Sequence, residues 1–390
     1  MVKQKSNRKW VQSHFFLIVP KPQEDELLSS WLTRMAFAHK KKLSSFLNLY
    51  VRKRGHEISR IDMDFKYNDK LFEVLSQKSG IDKKTILNMS LRSEEGHLFI
   101  CNNCLYSPKQ IRKLVDKRTH NGLMFCPKCL VEDKIPYFRK QWRYHFYNAC
   151  PKHKVFLSDR CWVCYHRIRL DQMTSLEEVV FCHNCGNDLR ITRVKEVQEY
   201  YALGLEVIQW FESGLKNGYF LINKKKVNSV WVFQGMTRLY LKLDLGEDLV
   251  LNNFPMTEEY KIICRKLKRY SSKKSSLIYK SFFLNIMVYH LFQDYPNNLV
   301  SFAKDNKFTY RTFTHRFMGG SSFWYKNFIS GAIPVQNKLG RKITECEVLG
   351  AIKYLESIGI NINQENVANM VGCHYSIHKG FMRIYKKLSF

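Results

Sequence analysis

The sequence predicts a mainly α-helical protein with a tandem metal-binding block at its centre. Three observations carry this. Apolar residues in the first third recur on a 3.6-residue period, metal-ligand clips crowd the middle, and helix-turn-helix spacings appear towards both ends. They divide the chain into a basic arm with an N-terminal helix-turn-helix-like domain over 1–96, a cysteine-rich double zinc-binding domain over 97–192, and a helical C-terminal domain over 193–390. A chain of 390 residues is long enough for two or three cores, and its 45% hydrophobic content supplies them.

After the arm, Pro20 and Pro22 set a turn, and Asp25 is placed to cap a helix running to about His39. Leu27, Leu28, Trp31, Leu32, Met35 and Ala36 form its apolar stripe, and a short helix over 43–52 follows. Helices over 71–78 and 83–91 flank a Ser79-Gly80 turn, which is equally the pattern of two core helices. Residues 195–215 read as a mostly apolar helix, and the chain to about 295 reads as helices joined by basic loops. Lys224-Lys225-Lys226 and 265–274 are its strongest positive runs, and 281–292 reads as a buried helix containing Asn285 and His290. Near the end, 299–304 and 310–317 flank a turn at Asp305-Asn306-Lys307. A better helix-turn-helix candidate spans 344–388: a helix over 344–357 with Val348, Leu349, Ile352 and Leu355 inward, Asn363 capping 364–371, a break at Gly372, and a last helix over 374–387. Ala368 and Gly372 supply the small residue and the left-handed turn.

Of the twelve cysteines, nine lie between Cys101 and Cys185. Cys264, Cys346 and Cys373 are scattered and read as small apolar residues. The spacings Cys126-x2-Cys129-x20-Cys150-x2-His153 and Cys161-x2-Cys164-x17-Cys182-x2-Cys185 each pair two short clips. Two clips close a tetrahedron, the preference of zinc, and leave no open position, so the sites are structural. The histidine in the first set favours zinc over an iron–sulfur cluster. Cys101 and Cys104 make a fifth clip, which His97 and His120 would complete as a third site. His145, His166 and His183 lie near the clusters as surplus histidines. Between the halves of the first site, residues 136–146 alternate aromatic and basic side chains, a mix that suits base stacking and phosphate contact and equally suits packing between the lobes.

A net charge of +30, from 64 Lys+Arg against 34 Asp+Glu, calls for a polyanionic partner, and nucleic acid is the usual one. An anionic membrane surface or an acidic protein is the other class of partner. No stretch has the length of a membrane span and no secretory signal is legible, which places the protein in the cytoplasm. Closed metal sites and sparse acidic residues argue against an enzyme such as a nuclease or recombinase.

The segment Pro20-Lys-Pro22-Gln-Glu-Asp25-Glu-Leu-Leu-Ser-Ser-Trp31-Leu-Thr-Arg34-Met-Ala36 resembles the start of TniQ/TnsD-family transposition proteins. The stretches Phe125-Cys126-Pro127-Lys-Cys129-Leu130-Val-Glu-Asp133, Pro136-Tyr137-Phe138-Arg139 with Trp142-Arg143, and Cys150-Pro151-Lys-His153 continue the likeness. So do Asp159-Arg160-Cys161, Cys164 and Cys182-His-Asn-Cys185-Gly186-x-Asp188-Leu189, in order and spacing. The resemblance covers about 15–190. The Cys101/Cys104 clip lies outside the pattern, and the C-terminal half matches only in its helical character.

The resemblance implies two zinc ions and a bacterial, nucleoid-associated transposition accessory protein that is not itself an enzyme. Such a protein binds double-stranded attachment-site DNA, selects the target and recruits an AAA+ ATPase regulator and, through it, the transposase. The alternative is an adaptor, open to a homodimeric arrangement, that links an RNA-guided CRISPR complex to the same machinery without reading sequence. A plain transcription regulator shares most of this physics. In the DNA-reading case Tyr375, His378, Lys379, Arg383 and Lys386 would face DNA from the last helix, and Arg139 and Arg143 would grip phosphates.

Overall fold

A computed structural model describes residues 15–51, 62–65, 69–100, 110–111, 122–174, 177–243, 276–308, 343–371 and 379–388. The described residues are mainly helical and carry two short hairpins.

The N-terminal helices are α1 (Leu28–Ala38), α2 (Leu43–Tyr50), α3 (Asp69–Ser79) and α4 (Lys83–Met89). Trp31, Leu32, Met35, Phe46, Phe72, Leu75 and Ile86 close one core between them, as the apolar spacing requires. Phe16 joins that core, so the arm is anchored from there on, and residues 1–14 lie outside the described residues. Asp25 does not cap α1. It sits at φ 55°, and the N-cap is Leu27, whose N–H donates to Phe138 O at 2.8 Å. Position 26 takes the polar role instead, its carboxylate accepting from Gln23 N at 3.0 Å and Ser30 Oγ at 2.9 Å. Asp82 does cap α4, accepting from Thr85 N at 2.9 Å.

The cysteine-rich segment contributes α5 (Pro127–Glu132) and the hairpin β1 (Ala149–Cys150) with β2 (Val155–Phe156). Beyond it come α6 (Ala202–Asn217), a second hairpin of β3 (Tyr219–Ile222) and β4 (Lys225–Asn228), α7 (Ser229–Leu243), α8 (Ser276–Phe292) and α9 (Asn297–Asp305). Lys224-Lys225-Lys226 therefore lies on a hairpin rather than a loop between helices. Asn223 and Lys224 adopt positive φ to turn it, and Val227 is buried between exposed neighbours in the two-residue period of a strand. The run 265–274 lies outside the described residues, as does 310–317.

One apolar core runs from Leu27 through the cysteine-rich segment to Ala303. Phe146 is a hub of it. Its ring lies 5.2 Å from Phe211 and 5.6 Å from Phe233, and its carbonyl accepts from the buried Asn285 of α8 at 2.7 Å. Helices α6 and α8 approach so closely that a Cβ on Gly204 would fall 2.0 Å from Phe282, which only glycine avoids.

A separate core unites α10 (Glu345–Ser357), α11 (Gln364–Val371) and α12 (Lys379–Leu388) around Val348, Leu355, Val367, Ala368, Phe381 and Tyr385. Thr344 and Glu347 form a reciprocal capping box on α10, and Asn363 accepts from Asn366 N at 2.7 Å at the start of α11. Leu349 points to solvent, and Ala351 takes the inward place assigned to it. Cys346 is also exposed on α10, not buried among apolar groups. Cys264, Gly372 and Cys373 lie outside the described residues.

Candidate metal centres

The two cysteine sets converge as their spacing requires. In each, four ligand atoms lie within 4.8 Å of one another. In the first, His153 Nδ1 sits 3.4 Å from Cys126 Sγ, 3.3 Å from Cys129 Sγ and 3.4 Å from Cys150 Sγ, and the Cys129 and Cys150 sulfurs are 3.7 Å apart. In the second, Cys161 and Cys185 are 3.6 Å apart and Cys164 and Cys182 are 3.7 Å apart. These separations are far too long for disulfides. They match the edges of a zinc tetrahedron, about 3.8 Å between thiolates and about 3.5 Å from thiolate to imidazole at ordinary bond lengths.

Local backbone explains how each clip aims its pair. Cys126 is the N-cap of α5, Pro127 occupies the first helical position, and Cys129 follows within that turn. The other three clips are tight knuckles, each followed by a residue of positive φ. Lys154 follows His153, Tyr165 follows Cys164 and Gly186 follows Cys185. In each, that residue's N–H returns to the carbonyl of the first ligand, at 2.8, 3.0 and 2.9 Å for Cys150, Cys161 and Cys182. The second site is thus two facing knuckles, each closed at its base by a β-bridge, Arg160 with Arg167 and Phe181 with Asp188.

The donor set of the first tetrad, three thiols and an imidazole, suits a cation such as zinc. Hydrogen bonding to Cys126 and Cys150, then burial, pushes the Cys129 thiol up, because adjacent buried thiolates repel. In the second set burial is the largest cause of the Cys182 thiol being pushed up to about 12. The first centre also carries its outer support. Glu132 Oε1 lies 2.7 Å from His153 Nε2, and Lys152 pairs with the other carboxylate oxygen. A carboxylate there fixes the tautomer that leaves Nδ1 for the metal. Glu132→Gln is expected to lower zinc affinity at this centre about 10- to 100-fold, read by competition with a chelator. Glu132 was not singled out from sequence, although its place three residues after Cys129 on a helix is a usable signal.

The two arginines do not serve as expected. Arg143 is fully buried, and its guanidinium donates to Asp62 Oδ1 at 3.1 Å and Asp64 Oδ2 at 2.8 Å. Arg139 spends both terminal nitrogens on Asp133, at 2.9 and 2.7 Å, and lies over the rings of Tyr137 and Trp142. Neither is presented to a phosphate. The intervening aromatic residues Phe138, Trp142, Tyr144 and Phe146 are buried, so the run packs the core instead of stacking on bases.

These residues lock the helical and cysteine-rich segments together. Glu26 and Arg139 form a β-bridge, Phe138 N donates to Ser30 Oγ at 3.0 Å, and Asp25 O accepts from Lys140 N at 2.7 Å. Arg34 clasps Glu26 at 2.6 Å, and Trp31 Nε1 donates to Pro20 O at 2.8 Å. Asp64 closes the arrangement by accepting from Ser29 N and Oγ beside Arg143. The family model described as TniQ matches residues 17–157, the span of this interlocked unit up to the first metal centre. The chain carries a TniQ domain. A TniQ domain implies a transposition-related protein. No curated protein matches the chain. The second tetrad and the C-terminal helices fall beyond the TniQ match.

Of the remaining expectations, His97 Nδ1 lies 3.2 Å from Leu215 O, while Cys101, Cys104 and His120 lie outside the described residues. His166 and His183 pack edge to face beside the second tetrad, and His145 packs against Tyr240. Arg383 and Lys386 lie one turn apart on the exposed face of α12, opposite the buried Phe381 and Tyr385. Tyr375 and His378 lie outside the described residues, and of Lys379 only its place at the start of α12 is described. Among the described residues no helix is long and apolar enough to cross a membrane.

Proposed function

We propose that this chain is a transposition accessory protein that binds double-stranded target DNA, selects the insertion site and recruits an AAA+ ATPase regulator and the transposase. The observation that carries it is the TniQ domain interlocked with the first metal tetrad, in a chain of net charge +30. Zinc fills both tetrads and acts structurally, since each offers four protein ligands. Cys101 and Cys104 remain a proposed third clip. The cation sites free for DNA lie away from the TniQ signature, and α12 is the reading element. It exposes Arg383 and Lys386 on one face, and neither makes an ion pair among the described residues. Phosphate contacts position such a helix and base contacts select the sequence.

The test is duplex binding by Arg383→Ala with Lys386→Ala across a salt series. The slope of log affinity against log salt is expected to fall by about 2, one contact per cation, with at least tenfold weaker binding at physiological salt. An unchanged slope removes α12 from the interface.

A second reading has its own support. The TniQ signature residues, including Arg139 and Arg143, are committed to internal contacts. A domain so closed suits an adaptor, singly or as a homodimer, that docks on an RNA-guided CRISPR complex and hands it to the ATPase. Co-purification with a guide-RNA complex, together with no sequence preference on duplex DNA, distinguishes it.

A further inference from the structure

A groove of about 620 Å³ opens between the first knuckle of the second metal site, the strap at 192–195 that leaves it, and the start of α8. Arg193 lies over the Trp162 ring at 5.1 Å and Lys195 over the Tyr279 ring at 5.4 Å. Neither cation makes an ion pair among the described residues. Tyr165, beside them on the knuckle, is 74% exposed, which is unusual for an aromatic ring with no structural duty.

Two further groups are unmatched. Thr192 is 94% buried by its 6% exposure, yet its Oγ1 has no hydrogen-bond partner among the described residues, and neither has the buried Trp162 Nε1. A buried donor left in this state costs free energy, so it points to an occupant. The carboxylate at this groove, Asp159, is already engaged with Arg160 at 3.3 Å and Gly122 N at 3.2 Å. The groove therefore offers cations and aromatic faces, with its acid neutralised and two donors unmet within its wall.

We infer that this groove binds an unpaired stretch of nucleic acid, one base stacking on Tyr165 while Arg193 and Lys195 take the adjoining phosphates. Stacked aromatic and basic groups are the means by which proteins hold single strands. A duplex keeps its bases inside the stack, so the exposed ring and the orphan donors would gain nothing from it. A short peptide would need acceptors for its own N–H groups, and the groove's matched carboxylate leaves few. The site is separate from α12, so its failure leaves the duplex-binding proposal standing, and the reverse holds.

The experiment uses the full chain with its metal, and labelled oligothymidylate, oligouridylate and random duplex of about 12 nucleotides as probes. The variant is Tyr165→Asn with Lys195→Ala, asparagine being chosen because it tolerates the left-handed backbone at 165. Single-strand affinity is expected to fall about tenfold or more, with duplex affinity, metal content and circular dichroism unchanged. Photocrosslinking of 4-thio-substituted single strands to the unmodified protein is expected to label peptides containing Trp162, Tyr165 or Arg193. Stronger binding of the ribose strand would name RNA as the natural occupant, and equal binding would name an unpaired strand of either sugar. Unchanged single-strand affinity, an equal loss on duplex, or crosslinks confined to other peptides overturns the assignment.

Discussion

Cys129→Ala is expected to release the metal of the first centre and leave the purified protein unfolded or insoluble. The argument is one of magnitudes. A structural zinc contributes about 10–16 kcal/mol at neutral pH. A whole domain has only about 5–15 kcal/mol of net stability. The first tetrad also sits inside the continuous core, with Cys126 and Cys150 buried beside Phe125 and Ala149, so its loss cannot stay local. Metal content and far-ultraviolet circular dichroism on the soluble fraction check this. Soluble, fully helical protein with the wild-type metal content would refute the site. Cys185→Ala at the second centre should be milder, because Cys185 is exposed and its knuckle lies at the edge of the core.

Arg143→Ala is expected to cost about 3–5 kcal/mol, the range for removing one partner of a buried ion pair. It would leave Asp62 and Asp64 buried at 7% and 3% exposure with no cation between them. The variant also carries a pH signature. Burial, the largest cause, pushes the Asp64 carboxyl up to about 6 even with Arg143 opposing it. A carboxyl raised in the folded state stabilises it when protonated, and that contribution is lost as pH rises through the folded value. Without the arginine the value rises further. The deficit of the variant should therefore grow as pH rises above about 6, and level off below. Denaturant unfolding on either side of that value reads it. A loss below about 1 kcal/mol, the level of an exposed pair, would contradict the buried geometry. Arg143→Met should be less severe than alanine, since it fills the same volume.

The convergence of the two tetrads was legible in the sequence, because a two-residue gap between thiols reports geometry directly. Helix positions were legible where an apolar stripe met a capping residue, as at Asn363. Asp25 misled for a specific reason. The chain before α1 is held by a bridge to Arg139, more than a hundred residues on, and no local cap was needed. Arg139 and Arg143 misled similarly. Alternating basic and aromatic residues look like a nucleic-acid surface, but Asp133 is six residues away and Asp62 and Asp64 about eighty, and only the fold brings the latter two to the guanidinium. Leu349 shows the limit of periodicity. It follows Val348 on the helix, and of the two only Val348 is turned into the three-helix core. The groove at Trp162 was invisible in sequence, since its walls come from a knuckle, a strap and a distant helix.

The proposal that this chain chooses insertion sites by reading DNA rests most directly on one measurement, an unbiased duplex selection on zinc-loaded protein at physiological salt. The account predicts enrichment of a single motif, and loss of that enrichment in Arg383→Ala with Lys386→Ala. Recovery of no motif, with only salt-sensitive binding to every duplex, would contradict direct reading and assign target choice to a partner.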